Sequence, residues 1–204
     1  MRTNLHARRR AFSMIEMLIA LTITATLLTA SLAALDASFK GYKSTTESAS
    51  TNVVTRMVMQ RIMSMIRNGT TFGPYPVDVL DRAQNPLTST YIEFETENDG
   101  AGNRRVVRIE RRDPASASTG PYELWYVQTD FVSGAQSSQV ERPLITGVTE
   151  VSFTMEYDVG PRLRRATVDL TVKPNDYQAA KFGSDFETPT IRLVSSVNPR
   201  RLDD

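Results

Sequence analysis

The sequence predicts an α+β fold in which one long N-terminal helix packs on an antiparallel β-sheet head. Three observations predict it. An apolar run near the N-terminus carries no charge from Met17 to Leu35, nineteen residues, which is long enough for a helix to cross a bilayer. A helical period follows, with Val54, Val58, Ile62 and Met65 at steps of four and three and Met57 and Ile66 beside them. From Tyr91 onward the period turns to two, most clearly where Val151, Phe153, Met155 and Tyr157 alternate with Ser152, Thr154 and Glu156, the pattern of strands buried on one face.

Taken in order, residues 1–11 form a basic leader, with Arg2, Arg8, Arg9 and Arg10 and no acid. Residues 12–35 form the apolar helix, interrupted only by Glu16. Arginines ahead of such a span predict a cytoplasmic N-terminus and an exported head. Thr22, Thr24, Thr26 and Thr29 do not forbid insertion, because in a helix their hydroxyls bond back to a carbonyl one turn earlier. Glu16 is the anomaly: a carboxylate in hydrocarbon costs roughly 2.5 kcal/mol or more and persists where a partner waits for it.

Residues 36–71 are the stalk and the amphipathic second half of the helix. Phe39 and Tyr42 are the large apolar groups between Asp36 and Asn52, Gly41 is a flexible point, and the stripe from Val54 to Met65 faces a packing partner while Arg56, Gln60, Arg61 and Ser64 face away. Asn68-Gly69 predicts a left-handed helix stop, enforced by Pro74 and Pro76. One helix from Phe12 to about Asn68 spans roughly 85 Å.

Residues 72–204 are the head. After a proline-bearing loop, Tyr91 to Glu95 and Arg104 to Arg111 form a hairpin around Glu97-Asn98-Asp99-Gly100-Ala101-Gly102-Asn103. The acids and amides of that turn are read as hairpin chemistry, since no bidentate Glu follows at the spacing of a calcium loop. Tyr122 to Val127 is a third strand with Trp125 as a buried anchor, and Ser133 to Gln139 a polar loop. Pro143 to Val148, Val151 to Tyr157, Ala166 to Val172 and the final run Thr190 to Arg200 complete five to seven strands. The turn of the clearest pair lies at Gly160-Pro161, Pro174 ends a strand, and residues 175–189 form a surface loop.

Composition excludes several function classes. The chain holds 24 basic and 23 acidic residues, so nothing invites nucleic-acid binding. It has no cysteine, which removes disulfides from a head facing an oxidising compartment. The one histidine, His6, lies in the leader, so Ser-His, Cys-His and His-ligated metal chemistry are missing from the head. Glu93 and Glu95 share a strand face that reads as solvated rather than catalytic. No enzyme and no cofactor is expected.

Ala11-Phe12-Ser13-Met14-Ile15-Glu16, after a basic leader and before an apolar helix, resembles the class III signal of type IV prepilins and type II secretion pseudopilins. The family's usual Gly before the cut is Ala11 here. The resemblance implies cleavage between Ala11 and Phe12 by a prepilin peptidase/methyltransferase, N-methylation of Phe12, and pairing of Glu16 with a neighbouring subunit's N-terminal amine. It implies other minor and major pilins or pseudopilins as partners, a single-pass inner-membrane location, and a head in the periplasm or cell exterior.

Leu144-Ile145-Thr146-Gly147-Val148 and the segment from Pro161 to Val172 are similar to the head of J-type minor pseudopilins and W-type minor pilins. Arg164 and Arg165 fill the place of that family's proline. The function so implied is a minor subunit that starts or caps a filament. The alternative reading is a single-pass membrane-anchored binding ectodomain that does not polymerise.

Overall fold

Helix α1 (Met14–Asn68) begins where Ser13 caps it and ends against the first strand. The computed structural model describes residues 12–113, 121–160, 162–173 and 190–200. The leader, Pro161 of the expected turn, Pro174 as the expected strand end and the expected surface loop at 175–189 lie outside them. Two units divide the chain at residues 46 and 47.

In the first unit α1 is long and apolar enough to cross a membrane, and none of its most apolar window is buried. The threonine hydroxyls behave as the composition demands: Thr22 donates to the Ile19 carbonyl at 2.9 Å, Thr24 to Ala20 at 2.7 Å, and Thr29 to Ala25 at 2.9 Å. Each thereby satisfies a polar group that lipid cannot.

In the second unit α1 buries Thr55, Met59, Ile62 and Ile66. This corrects the expected stripe by about a quarter turn: Ile62 and Ile66 are common to both and Val58 and Met65 pack against the core from its margin, but Val54 and Met57 point to solvent. Thr55 enters the core because its hydroxyl donates to the Thr51 carbonyl at 2.7 Å, so it buries no unsatisfied group. The helix stop also differs. Gly69 is not left-handed; a Cβ there would sit 2.6 Å from the Phe94 ring, so glycine lets the chain pass close to the core. The φ of +48° falls on Thr71.

Eight strands follow: β1 (Thr70–Gly73), β2 (Leu87–Ser89), β3 (Tyr91–Asn98), β4 (Arg104–Arg112), β5 (Tyr122–Val132), β6 (Ala135–Asp158), β7 (Arg162–Val172) and β8 (Ile191–Val197). They form one antiparallel sheet in the order β1-β3-β4-β5-β6-β7-β8, with β2 paired to β6. The total exceeds the expected upper bound by one: β1 and β2 are additions, while the segments expected as separate strands at 143–148 and 151–157 are one strand, β6. The predicted polar loop at Ser133 to Gln139 is instead mostly the start of β6, whose residues 135–143 are exposed on both faces.

Besides the short β2, β6 serves two long partners. Up to Val148 it pairs with β5, and from Val148 to Asp158 with β7. The change falls at Gly147, which has φ +74° and accepts a hydrogen bond from the Lys173 N–H at 2.8 Å. A Cβ at Gly147 would lie 2.7 Å from the Lys173 carbonyl oxygen, so both φ and space demand glycine. Against the inner face the core gathers Met59, Ile62 and Ile66 with Ile92, Phe94, Ile109, Leu124, Phe153, Met155 and Leu170. The segment before β2 is pinned by Asn85, which accepts from Tyr157 N–H at 3.0 Å and donates to the Tyr157 carbonyl at 2.8 Å.

Candidate functional site

The start of α1 is built from four residues of the sequence. Ser13 is the N-cap: its Oγ accepts from the Glu16 N–H at 3.3 Å, and Glu16 Oε2 accepts from the Ser13 N–H at 2.9 Å. This reciprocal arrangement satisfies two of the backbone donors that every helix leaves open at its N-terminus. The carboxylate also lies at the positive end of the helix dipole. Oε1 of Glu16 has no partner among the described residues, so one oxygen is held and the other is free to accept.

Around this carboxylate the surface is apolar and bare. Phe12 is 75% exposed, Met14 90%, and Ile15 and Met17 about two thirds. Phe12 precedes the Ser13 cap and Glu16 lies in the first turn of α1, so the two positions are offset along the chain. Ala11 lies outside the described residues. Ser13 was missing from the residues singled out by sequence, although Ser-x-x-Glu ahead of an apolar run is a readable capping signature.

The other candidates dissolve into packing. Glu95 is not solvated as expected but 5% exposed, at a bulge in the β3–β4 pairing. It accepts from Arg104 at 3.1 Å and Asn98 at 2.9 Å, while Glu93 stands 4.0 Å from Arg108. Each glutamate thus has its own arginine and no shared proton. In the hairpin turn, Asp99 accepts from the N–H groups of Ala101 at 2.8 Å and Asn103 at 3.1 Å and from the Asn103 amide at 2.6 Å. These bonds hold the Asp99 carboxyl below its usual range, the Asn103 side chain contributing most. No group of three acidic or metal-binding side chains exists among the described residues.

Trp125 is not a core anchor. It lies half-buried on the outer face of the sheet, under the Arg112 guanidinium at 4.9 Å, with its indole N–H donating to Glu123 at 2.8 Å. Its strand neighbours Leu124 and Tyr126 face the core instead. The same face carries Arg108 over Tyr91 at 3.9 Å. Electrostatics elsewhere in the head follow from pairing: Arg105 holds the Asp130 carboxyl low, aided by Ser138, and Arg112 does the same for Glu141, aided by Gln139.

A family model described as the prokaryotic N-terminal methylation motif matches residues 6–32. That span contains Ala11, Phe12, Ser13, Glu16 and most of the apolar run. No curated protein and no solved structure matches the chain. The chain therefore carries a type IV pilin-like N-terminal signal on a helix long and apolar enough to cross a membrane, and the motif implies processing by a prepilin peptidase.

Proposed function

We propose that the chain is a minor pilin or pseudopilin, a structural subunit that starts or caps a type II secretion pseudopilus or type IV pilus. The observation that carries this reading is the coincidence of the methylation motif at residues 6–32 with an apolar, unburied helix whose first turn holds Glu16. Cleavage between Ala11 and Phe12 creates an amine at membrane depth, and methylation keeps it basic. A neighbour's Glu16, with one oxygen already fixed by its own Ser13, offers the second oxygen to that amine. Two charges that are each costly in lipid become one pair when subunits stack in register. The pair sets order and register more than it adds stability.

The head supports the finer reading by analogy of sequence. Its segment from Leu144 to Val148, which holds the corner at Gly147, comes before the β6–β7 pair, the same order as the segments it resembles in J-type pseudopilins and W-type pilins. The partners are then a prepilin peptidase/methyltransferase and other minor and major subunits, in the inner membrane with the head outside.

Glu16→Gln tests the pairing role. Insertion and cleavage do not use the charge, so the variant is expected in the membrane fraction at full yield and mature size. Its copurification with the other filament subunits is expected to fall sharply. Undiminished copurification overturns the role of Glu16.

A further inference from the structure

A groove of about 680 Å³ runs between the last turns of α1 and β8. From the helix come Gln60, Ser64 and Arg67, and from the strand and its extension Ser195, Ser196 and Arg200, over a floor that includes Met59 and Met63. None of the residues lining it is acidic. The two arginines are brought to the same end by a backbone bond, the Arg200 N–H donating to the Arg67 carbonyl at 2.8 Å. Neither has a carboxylate partner among the described residues, whereas Arg192, on the same strand, is paired with Asp169. β8 pairs with β7 along one edge only, among the described residues. Its other edge keeps backbone donors and acceptors open for another chain.

We propose that this groove docks an extended acidic segment of a partner polypeptide. The segment adds to the open edge of β8 by backbone hydrogen bonds, and its carboxylates lie against Arg67 and Arg200. Strand addition explains why an open edge, neutral hydroxyls and amides, and two like charges occur together. Two arginines line one groove that holds no acid, an arrangement that gains when an anion arrives. Charge complementarity selects an acidic segment over a basic one. The proposal goes beyond the filament reading and does not depend on Glu16 or on cleavage.

The test uses the full chain in detergent micelles and, as probe, an end-blocked peptide alternating glutamate and threonine. Amide signals of Ser195 to Arg200 and of Gln60 to Asn68 are expected to shift on titration. The double variant Arg67→Gln with Arg200→Gln is expected to bind roughly tenfold more weakly, as the loss of two partly exposed ion pairs implies. Arg164→Gln, an exposed arginine on β7 outside the groove, is expected to bind as the parent does. Unshifted groove signals, or equal losses in both variants, overturn the proposal. Shifts of the same groove signals without peptide, on changing Asp176, Asp185 and Glu187 to their amides, also overturn it, because the chain itself then fills the groove.

Discussion

One serine determines how the carboxylate at the head of α1 is held. Ser13→Ala removes a cap, which costs about 0.5–2 kcal/mol of local helix stability, and it frees the Glu16 side chain while leaving its charge. Amide exchange at Glu16 in micelles is expected to quicken, and copurification with filament subunits to drop less than for Glu16→Gln. Ser13→Thr, which keeps the hydroxyl, is expected to restore both. Gln retains the capping geometry but not the charge, so the two substitutions separate position from electrostatics. Ala11 belongs to the same scale. If the peptidase accepts only a small side chain before the bond, Ala11→Gly is cleaved at least as fast as the parent and Ala11→Leu accumulates as precursor on immunoblots. Equal cleavage of all three contradicts the assigned cut.

Among elements, α1 shows what periodicity can and cannot read. The existence of the helix and its amphipathic second half were legible because Val, Ile and Met recur at helical steps. The rotation was not, because Thr55 counts as polar until its hydroxyl is seen bonded to Thr51, and Val54 and Met57 count as core although they face outward. Mutational cost separates the two faces. Ile62→Ala is expected to lower stability by about 2–5 kcal/mol, and Met57→Ala by less than about 0.5 kcal/mol, measured by thermal unfolding. The start of β6 was hidden for a related reason: residues 135–143 are exposed on both faces, so no alternation marks them, and backbone pairing to β5 alone makes them strand. Gly69 and Gly147 are recognisable as special from sequence, but only the structure shows that the first meets Phe94 and the second Lys173. Gly147→Ala combines a disfavoured φ with a backbone clash, and is expected to destabilise the head more than Gly160→Ala, which meets open space at a similar φ.

For the whole molecule, the head stands without cysteine and relies on one apolar core and a paired surface. Its pH dependence follows from the pairs. Asp99, Asp130 and Glu141 have folded pKa values below their ordinary ones. Their contribution is therefore present above the unfolded carboxylate range and is lost as pH falls through about 4 and below. Tyr157 is raised, chiefly by burial. Its contribution is full below the unfolded value near 10 and declines as pH climbs above it. The melting temperature of the head is expected to fall at both extremes, and Tyr157→Phe to remove part of the alkaline loss. The apolar helix and the motif bind these pieces into the central proposal: that the chain is processed to begin at Phe12 and then assembled through Glu16. Mass spectrometry of the N-terminal peptide, from protein purified out of a membrane containing prepilin peptidase, tests it most directly. The account predicts a chain beginning with N-methyl-Phe12. An intact chain from Met1, or one cut near Ala34 after the apolar run, contradicts it.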